Sequence, residues 1–188
     1  QVVIESAKAN AVGGGFNGAE NGGVAKSYVS KINGEIITTL WVNIDDLKSS
    51  ATIDDIIGEN DTAAAYLTRI TTAVNGLIYK AEMVCVESPD SGDDNAALDI
   101  DLVASSAALA EDVVWTSSGT PTGIISGSSG GWAEGWEAGL AMRTSASFDG
   151  VDLPNAYLYL VNGEGTGGDS VYTAGKFMIK LYGVPDWF

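Results

Sequence analysis

The chain alternates apolar and polar residues over short runs, and this two-residue period constrains its fold more than any other feature. The clearest run is Leu98-Asp99-Ile100-Asp101-Leu102, in which carboxylates separate the aliphatic side chains. Successive side chains of a β-strand point to opposite faces, so such a run has one dry face and one wet face. Similar runs recur with glycine-rich turns between them, and the sequence therefore predicts an all-β protein.

Length and composition indicate one sandwich domain. The chain has 188 residues, of which 45% are hydrophobic, 24 are glycine and only 4 are proline. This length suits a single substantial core, and many glycines in a strand-rich chain indicate many tight turns. No repeat of fixed period is found, which argues against a solenoid or a propeller. We predict that residues 36–188 form an antiparallel β-sandwich with a jelly-roll-like arrangement.

Residues 1–35 differ from the rest because glycines interrupt them repeatedly, above all at residues 13–15 and 22–23. Such segments lose much backbone entropy in a regular element. We therefore predict an extended Gly-rich N-terminal arm, and the sequence leaves two alternatives open. The arm orders against a neighbouring subunit, with Phe16 as a contact residue, or it remains a loose terminus.

Two runs, one near each end of the predicted domain in the sequence, carry clear strand patterns. Residues 36–44 place Leu40 and Val42 on one face and Trp41 on the other. Residues 176–182 place alternate apolar side chains inward and both lysines outward. Each pattern predicts a strand with one face in the core.

Asn75-Gly76 separates two further β-rich runs, residues 66–74 and 77–87. Because Asn-Gly is the strongest short-range signal for a β-hairpin, we predict that these runs pair.

Cys85 is the only cysteine, and its apolar neighbours indicate an inert core thiol rather than a nucleophile. The alternation of the second run predicts one inward-facing set: Leu77, Tyr79, Ala81, Met83 and Cys85.

The charge of the chain excludes several classes of function. With 25 acidic residues, 9 basic residues and no histidine, the formal charge is −16. Such a chain repels nucleic acid and anionic membranes, so we expect neither as a partner. The lack of histidine removes the commonest general base, and neither a nucleophile elbow nor a phosphate-binding loop is present, so we expect no enzymatic activity.

An oxygen-rich turn at residues 89–95 contains three candidate calcium ligands, Asp90, Asp93 and Asp94. Oxygen ligands suit Ca²⁺, but the spacing does not match an EF-hand loop, and exposed turns prefer the same residue types. No other cofactor is predicted.

Aromatic residues provide the candidate contact residues. Trp132 and Trp136 lie four residues apart among glycines, and Trp187 and Phe188 follow Pro185. Tryptophans of this kind anchor protein interfaces, stack on sugars or pack in the core, and the sequence leaves these three alternatives open for the first pair. For Trp187 and Phe188 we favour an intermolecular contact, because terminal residues are otherwise frayed.

Two segments resemble small virion structural proteins of marine tailed phages. They are residues 65–80 (AYLTRITTAVNGLIYK) and 172–183 (YTAGKFMIKLYG). The likeness rests on strand-and-turn phrases within residues 36–183 rather than on a chemical motif. The resemblance implies a capsid-associated decoration, or cement, protein without catalytic residues.

We therefore expect a non-enzymatic virion structural protein on the capsid surface, a repeated subunit that assembles with copies of itself and with other capsid proteins. Its β-edges, aromatic anchors and N-terminal arm would make the contacts. Two alternatives remain open: an extracellular carbohydrate-binding module that uses tryptophans as a sugar platform, and a bacterial surface-layer or filament subunit.

Overall fold

The computed structural model describes residues 7–8, 12–16, 24–49, 52–59, 63–91, 99–125, 135–143, 153–163 and 170–185. These residues form an all-β protein, as predicted, with one α-helical turn, α1 (Thr72–Asn75), and a 3-10 turn (Trp115–Ser117). No helix in these ranges is long and apolar enough to cross a membrane. The strands are β1 (Ala7–Lys8), β2 (Val24–Ile32), β3 (Glu35–Asn43), β4 (Lys48–Ser49), β5 (Thr68–Arg69), β6 (Leu77–Asp90), β7 (Ile100–Ser105), β8 (Pro121–Ile125), β9 (Ala141–Arg143), β10 (Tyr157–Asn162), β11 (Ser170–Val171) and β12 (Ala174–Val184).

Two antiparallel sheets pack against each other. The strand order is β1-β2-β3-β12-β6-β9 in the six-stranded sheet and β5-β10-β7-β8 in the four-stranded sheet, and β11 and β4 form a small separate pair. Leu40 and Phe177 of the first sheet share one hydrophobic core with Leu102 and Leu158 of the second. Burial of these apolar side chains between the sheets is the main force that holds the two layers together.

The alternation predicted for residues 36–44 and 176–182 is confirmed, and these runs form the adjacent strands β3 and β12. In β3, Leu40 and Val42 are buried and Trp41 between them is exposed. In β12, Phe177 and Ile179 are buried, whereas Lys176 before them is exposed. These strands follow the two-residue period because each has one face on the core and one face in solvent.

The four-stranded sheet is covered on both of its sides. Leu158 and Leu160 contact the common core, whereas Tyr159 between them belongs to a second apolar cluster on the opposite side. The Tyr159 hydroxyl donates to the carbonyl of Ala107 at 2.7 Å and accepts from the backbone N–H of Leu109 at 2.8 Å. The segment after β7 is therefore held over the outer side of the four-stranded sheet. Among the described residues, the broad sheet surface that remains exposed to solvent is the one on the six-stranded sheet.

Asn75-Gly76 does not form the predicted hairpin. β5 pairs with β10 in the four-stranded sheet, whereas β6 pairs with β12 in the six-stranded sheet. The chain crosses between the sheets through α1 and Gly76, whose φ of 71° is a conformation that favours glycine. The Asn75 side chain accepts from the Thr71 N–H at 2.8 Å and donates to Thr38 Oγ1 at 2.8 Å, so it holds a buried corner in place.

A bulge near the start of β6 reverses its alternation. In the register with β12, one residue of β6 is skipped between Lys80 and Ile78. The skipped residue, Tyr79, and Leu77 before it are 48% and 43% exposed, so the prediction that they face inward is wrong. The residues beyond the bulge are buried as predicted: Ala81, Met83 and Cys85.

Residues 24–32 form a nine-residue strand rather than part of an arm. β2 pairs with β3 along its whole length, and Asn33 and Gly34 close this hairpin with φ values of 52° and 85°. Asn-Gly turns supply such positive φ values readily. The predicted boundary at residue 35 therefore falls inside a hairpin. The strand was not predicted because the glycines before residue 24 obscured the alternating pattern that follows them.

Residues 12–16 also pack on their own domain. The backbone N–H groups of Gly13 and Gly15 donate to the carbonyls of Tyr66 and Ala64 at 2.8 Å and 3.0 Å. Phe16 is 0% exposed and lies in the common core. The predicted arm is therefore wrong for this segment, because a large aromatic side chain in the core outweighs the entropy cost of its glycines.

Candidate functional site: the outer face of the six-stranded sheet

The side of the six-stranded sheet that points away from the core, here named the outer face, carries large exposed apolar side chains. Tyr28, Trp41 and Val86 are 54%, 48% and 50% exposed. Single exposed apolar residues are ordinary on proteins, whereas a contiguous group on one face is typical of a binding surface.

The strand register brings the two central aromatic side chains together with two lysines. Trp41 of β3 lies opposite Lys26 of β2. Two residue pairs further along, and so on the same face, Thr39 of β3 lies between Tyr28 of β2 and Lys180 of β12. Directly opposite residues share a face with Cβ atoms about 4.5–5.5 Å apart, and diagonal neighbours are about 7–8 Å apart, so Lys26, Tyr28 and Lys180 all surround Trp41 on one face. The centre of the outer face is therefore aromatic and flanked by ammonium groups.

A pocket of about 180 Å³ opens beside Trp41. Its lining is apolar apart from the side-chain amide of Asn43 and the ammonium groups of Lys26 and Lys176. Such a lining suits a ligand with an apolar group and an adjacent anionic group. The lining residues are Lys26, Trp41, Val42, Asn43, Val86, Lys176 and Phe177.

Paired charges lie on the β6 side of the outer face. Lys80 Nζ is 2.8 Å from Glu82 Oε1 and 4.3 Å from the centroid of the Tyr182 ring, and the Tyr182 hydroxyl donates to Glu82 Oε2 at 2.5 Å. Lys176 Nζ lies 2.7 Å from Glu87 Oε2, and its hydrogen bond lowers the pKa of Glu87. Such exposed ion pairs contribute little to the free energy of unfolding, but they neutralise the charges of Lys80 and Lys176 locally.

Lys26 and Lys180 differ from those lysines, because neither forms an ion pair within 4 Å in the described part of the chain, although Glu82 lies opposite Lys180 in the register. The chain as a whole has a formal charge of −16. Four lysines therefore face two carboxylates there, Glu82 and Glu87, which leaves an excess of positive charge near Trp41 on an otherwise acidic molecule. An anionic partner would meet local attraction there.

Trp136 lies in the common core rather than on a surface. It is 1% exposed, its Nε1 donates to the carbonyl of Ile100 at 2.7 Å, and its ring meets Phe177 edge-on at a centroid distance of 5.6 Å. Of the three alternatives, core packing is the one that describes Trp136. Phe16, predicted as a contact residue towards a neighbouring subunit, also lies in the common core. The other predicted contact residues lie outside the described residues: Trp132, Trp187 and Phe188.

Asp90, a candidate calcium ligand, is exposed at the end of β6. Its backbone carbonyl accepts from the N–H and the hydroxyl of Thr173, at 2.7 Å and 3.3 Å. Asp93 and Asp94 lie outside the described residues. Within the described ranges, no group of three His, Cys, Asp or Glu side chains is placed to hold a metal ion.

Cys85 is buried, and its thiol donates to the carbonyl of Glu87 at 3.3 Å. Burial raises the pKa of this thiol to about 11. A thiol with such a pKa stays protonated at neutral pH and is a poor nucleophile, which agrees with the predicted inert core thiol.

Carboxyl groups gather along one edge of the four-stranded sheet, here named the acidic edge: Asp54, Asp55, Glu111 and Asp112. The Asp54 N–H donates to the carbonyl of Asn162 in β10 at 2.9 Å, and residues 112–115 lie on the other side of residues 54–56. The Asp55 side chain is 2% exposed. Its burial and its hydrogen-bonded neighbour Asp112, with smaller contributions from Glu111 and Asp54, raise the pKa of Asp55 to about 6.

We expect the Asp55→Asn variant to gain stability over the wild type as the pH rises from about 4.5 to about 7.5. The pKa of Asp55 in the folded chain, about 6, lies above its ordinary value of 3.8, so the folded state binds this proton more tightly than the unfolded chain does. The resulting stabilisation is complete below about pH 4 and is lost as the pH rises through about 6, whereas asparagine does not titrate.

Urea unfolding of both proteins across this range measures the effect. The difference in unfolding free energy should change by about 1–3 kcal/mol in favour of the variant. Asp46→Asn, at an exposed turn residue with a φ of 63°, is the control. Parallel pH profiles for the wild type and the Asp55→Asn variant would contradict the raised pKa.

No known protein family, curated protein or solved structure matches this chain. The resemblance of residues 65–80 and 172–183 to phage virion proteins therefore stays a prediction.

Proposed function

We propose that this protein is a non-enzymatic structural subunit that docks through its outer face onto neighbouring subunits of a repeated assembly. The observation that supports this proposal is the exposed aromatic centre, Trp41 and Tyr28, beside Lys26 and Lys180 on an otherwise acidic chain. A solvated sheet face normally carries polar side chains. Large aromatic side chains together with cations at its centre are the composition of an interface.

The outer face has the dimensions of a modest protein interface. Four strands, β2, β3, β12 and β6, at about 4.8 Å spacing give a width of about 19 Å. The eight steps from Lys176 to Val184 in β12 give a length of about 26 Å, and hence a projected area of about 500 Å². This is less than the roughly 800 Å² per partner of a standard interface. One such contact is weak, whereas a repeated array makes many contacts at once.

A virion shell is the assembly that we favour. The resemblance to phage virion proteins suggests a decoration, or cement, protein on the capsid surface, with copies of itself and other capsid proteins as partners. A jelly-roll-like strand order, which is common among shell proteins, is part of the same proposal. A surface layer or filament would use the same contacts, and imaging of the source particle distinguishes these assemblies.

We expect the wild-type chain to form oligomers that grow with concentration, and the Tyr28→Ser/Trp41→Ser variant to lose them. Removal of two aromatic side chains from the centre of an interface should weaken association by about 10- to 100-fold. Sedimentation velocity over a range of protein concentrations measures the change.

Val171→Ser is the matched control, because Val171 is 48% exposed but lies in β11, away from the outer face. It should associate as the wild type does. A wild-type chain that stays monomeric at all concentrations would contradict the proposal, and so would undiminished association of the double variant.

A carbohydrate-binding module is the second candidate, favoured by the position of Trp41 beside the pocket. Exposed aromatic rings on a sheet face can stack on sugar rings. A glycan array followed by calorimetry distinguishes the two functions. Saccharide binding by the monomer that is lost in Trp41→Ser favours the module, whereas self-association without saccharide binding favours the structural subunit.

A further inference from the structure

We propose that the outer face of one copy binds the acidic edge of a second copy, so that the subunits associate head to tail. This inference rests on the proposed function and specifies which surface of the neighbour the outer face contacts.

Charge complementarity is the first argument. On the outer face, Lys80 and Lys176 pair with Glu82 and Glu87, so Lys26 and Lys180 leave an excess of positive charge among the described residues, although Lys180 also lies opposite Glu82 in the register. On the acidic edge, Asp112 is exposed and Asp54 is partly exposed, and Lys48 Nζ is 3.9 Å from Glu111, a weak ion pair. Each surface therefore carries an excess of the charge that the other surface lacks.

Apolar groups on the acidic edge are the second argument. Ile53, next to Asp54 in the chain, is 49% exposed. Trp115 is partly buried, and its backbone N–H donates to the carbonyl of Asp54 at 3.1 Å. An apolar centre flanked by carboxylates thus matches the aromatic centre of the outer face, which is flanked by Lys26 and Lys180.

The fold makes this contact intermolecular. The outer face points away from the core on the six-stranded sheet, and the acidic edge belongs to the four-stranded sheet on the other side of that core. The two surfaces cannot meet within one molecule. Two outer faces that met each other would bring the central lysines of both copies together, and this like-charge approach is unfavourable. A contact between unlike surfaces extends into a filament or closes into a ring.

Two neutralising variants of the full chain test the contact. Lys26→Gln/Lys180→Gln removes the cations of the outer face, and Asp54→Asn/Asp112→Asn removes two carboxylates of the acidic edge. Asp54 and Asp112 have φ values of 70° and 60°, which asparagine tolerates. Each variant alone should associate at least about tenfold more weakly than the wild type.

A mixture of the two variants gives the sharper result. The intact outer face of one variant should bind the intact acidic edge of the other with wild-type affinity, giving heterodimers that do not extend further. Sedimentation velocity with one variant fluorescently labelled detects this species. The control is Lys31→Gln, which neutralises an exposed charge on the opposite face of β2 and should associate as the wild type does. Thermal unfolding followed by circular dichroism verifies the fold of every variant.

The outcomes separate this inference from the proposed function. A monomeric wild type overturns both. Association of the wild type that the acidic-edge variant retains in full overturns the head-to-tail contact and leaves the proposed function standing. Association that is lost in each variant and restored as heterodimers in the mixture supports the contact.

Discussion

Replacement of Trp136 with alanine should lower the free energy of unfolding by about 3–5 kcal/mol. Trp136 is among the largest fully buried side chains and packs edge-on against Phe177 of β12. Its Nε1 also donates to the carbonyl of Ile100 in β7 at 2.7 Å. The side chain thus contacts both sheets, and its removal leaves a cavity between them and a buried carbonyl without its donor.

Trp41→Ala is the matched control, because Trp41 is 48% exposed on the outer face. Its loss should change the unfolding free energy by no more than about 0.5 kcal/mol, as is usual for surface substitutions. Trp136→Phe keeps part of the ring but not the hydrogen bond, so its cost should lie between those of the two alanine variants. Urea unfolding monitored by circular dichroism measures all three, and equal losses at positions 136 and 41 would contradict the core position of Trp136.

Sequence reasoning predicted the strands that have one face on the core. In β3 the burial of Leu40 and Val42 and the exposure of Trp41 follow from the two-residue period alone. In β12 the same holds for Phe177 and Ile179. The period is a local property of the backbone, so the sequence of the strand is sufficient to assign its faces.

The partner of each strand was harder to predict, and the two Asn-Gly pairs show why. Asn33-Gly34 closes the hairpin between β2 and β3, whereas Asn75-Gly76 leads from one sheet to the other. Both pairs supply a glycine with positive φ. The difference lies in the distant strands, β10 and β12, that pair with the flanking runs, and no local pattern reports such pairing.

The outer face could be predicted only in part for the same reason. The sequence placed Trp41 opposite the buried face of β3, but Tyr28 fell in the predicted arm and Lys180 near the other end of the chain. The register of β2, β3 and β12 makes them neighbours. A strand predicted over residues 26–28 would have placed Lys26 and Tyr28 on one exposed face, and these are two of the four residues at the centre of the outer face.

Trp136 shows that local composition does not identify the environment of a tryptophan. Two tryptophans among glycines are compatible with a core, an interface or a sugar platform, because all three environments accept a large amphipathic ring. The hydrogen bond to Ile100 and the contact with Phe177 select the core. Both partners are remote in the sequence, so no signal near position 136 indicated them.

Gly183→Ala should lower the free energy of unfolding by about 3 kcal/mol or more, because this glycine lies where two backbones touch. A Cβ at position 183 would be 2.1 Å from the carbonyl oxygen of Asn75. A Cβ at Gly76 would likewise be 2.5 Å from the carbonyl oxygen of Val184. The α1 corner and the end of β12 are thus in direct backbone contact, and a methyl group between them must displace one of the two.

The corner has little freedom to move, because the Asn75 side chain is hydrogen-bonded at 2.8 Å to Thr71 and at 2.8 Å to Thr38. Gly123→Ala in β8 is the control, since a Cβ there meets nothing within 4 Å and should be neutral or stabilise by about 0.5–1 kcal/mol. Urea unfolding compares the two variants, and failure of Gly183→Ala alone to fold agrees with the prediction. Equal stability of the two would mean that the corner yields to a methyl group, and then the Asn75 hydrogen bonds could not be what fixes the crossing between the sheets.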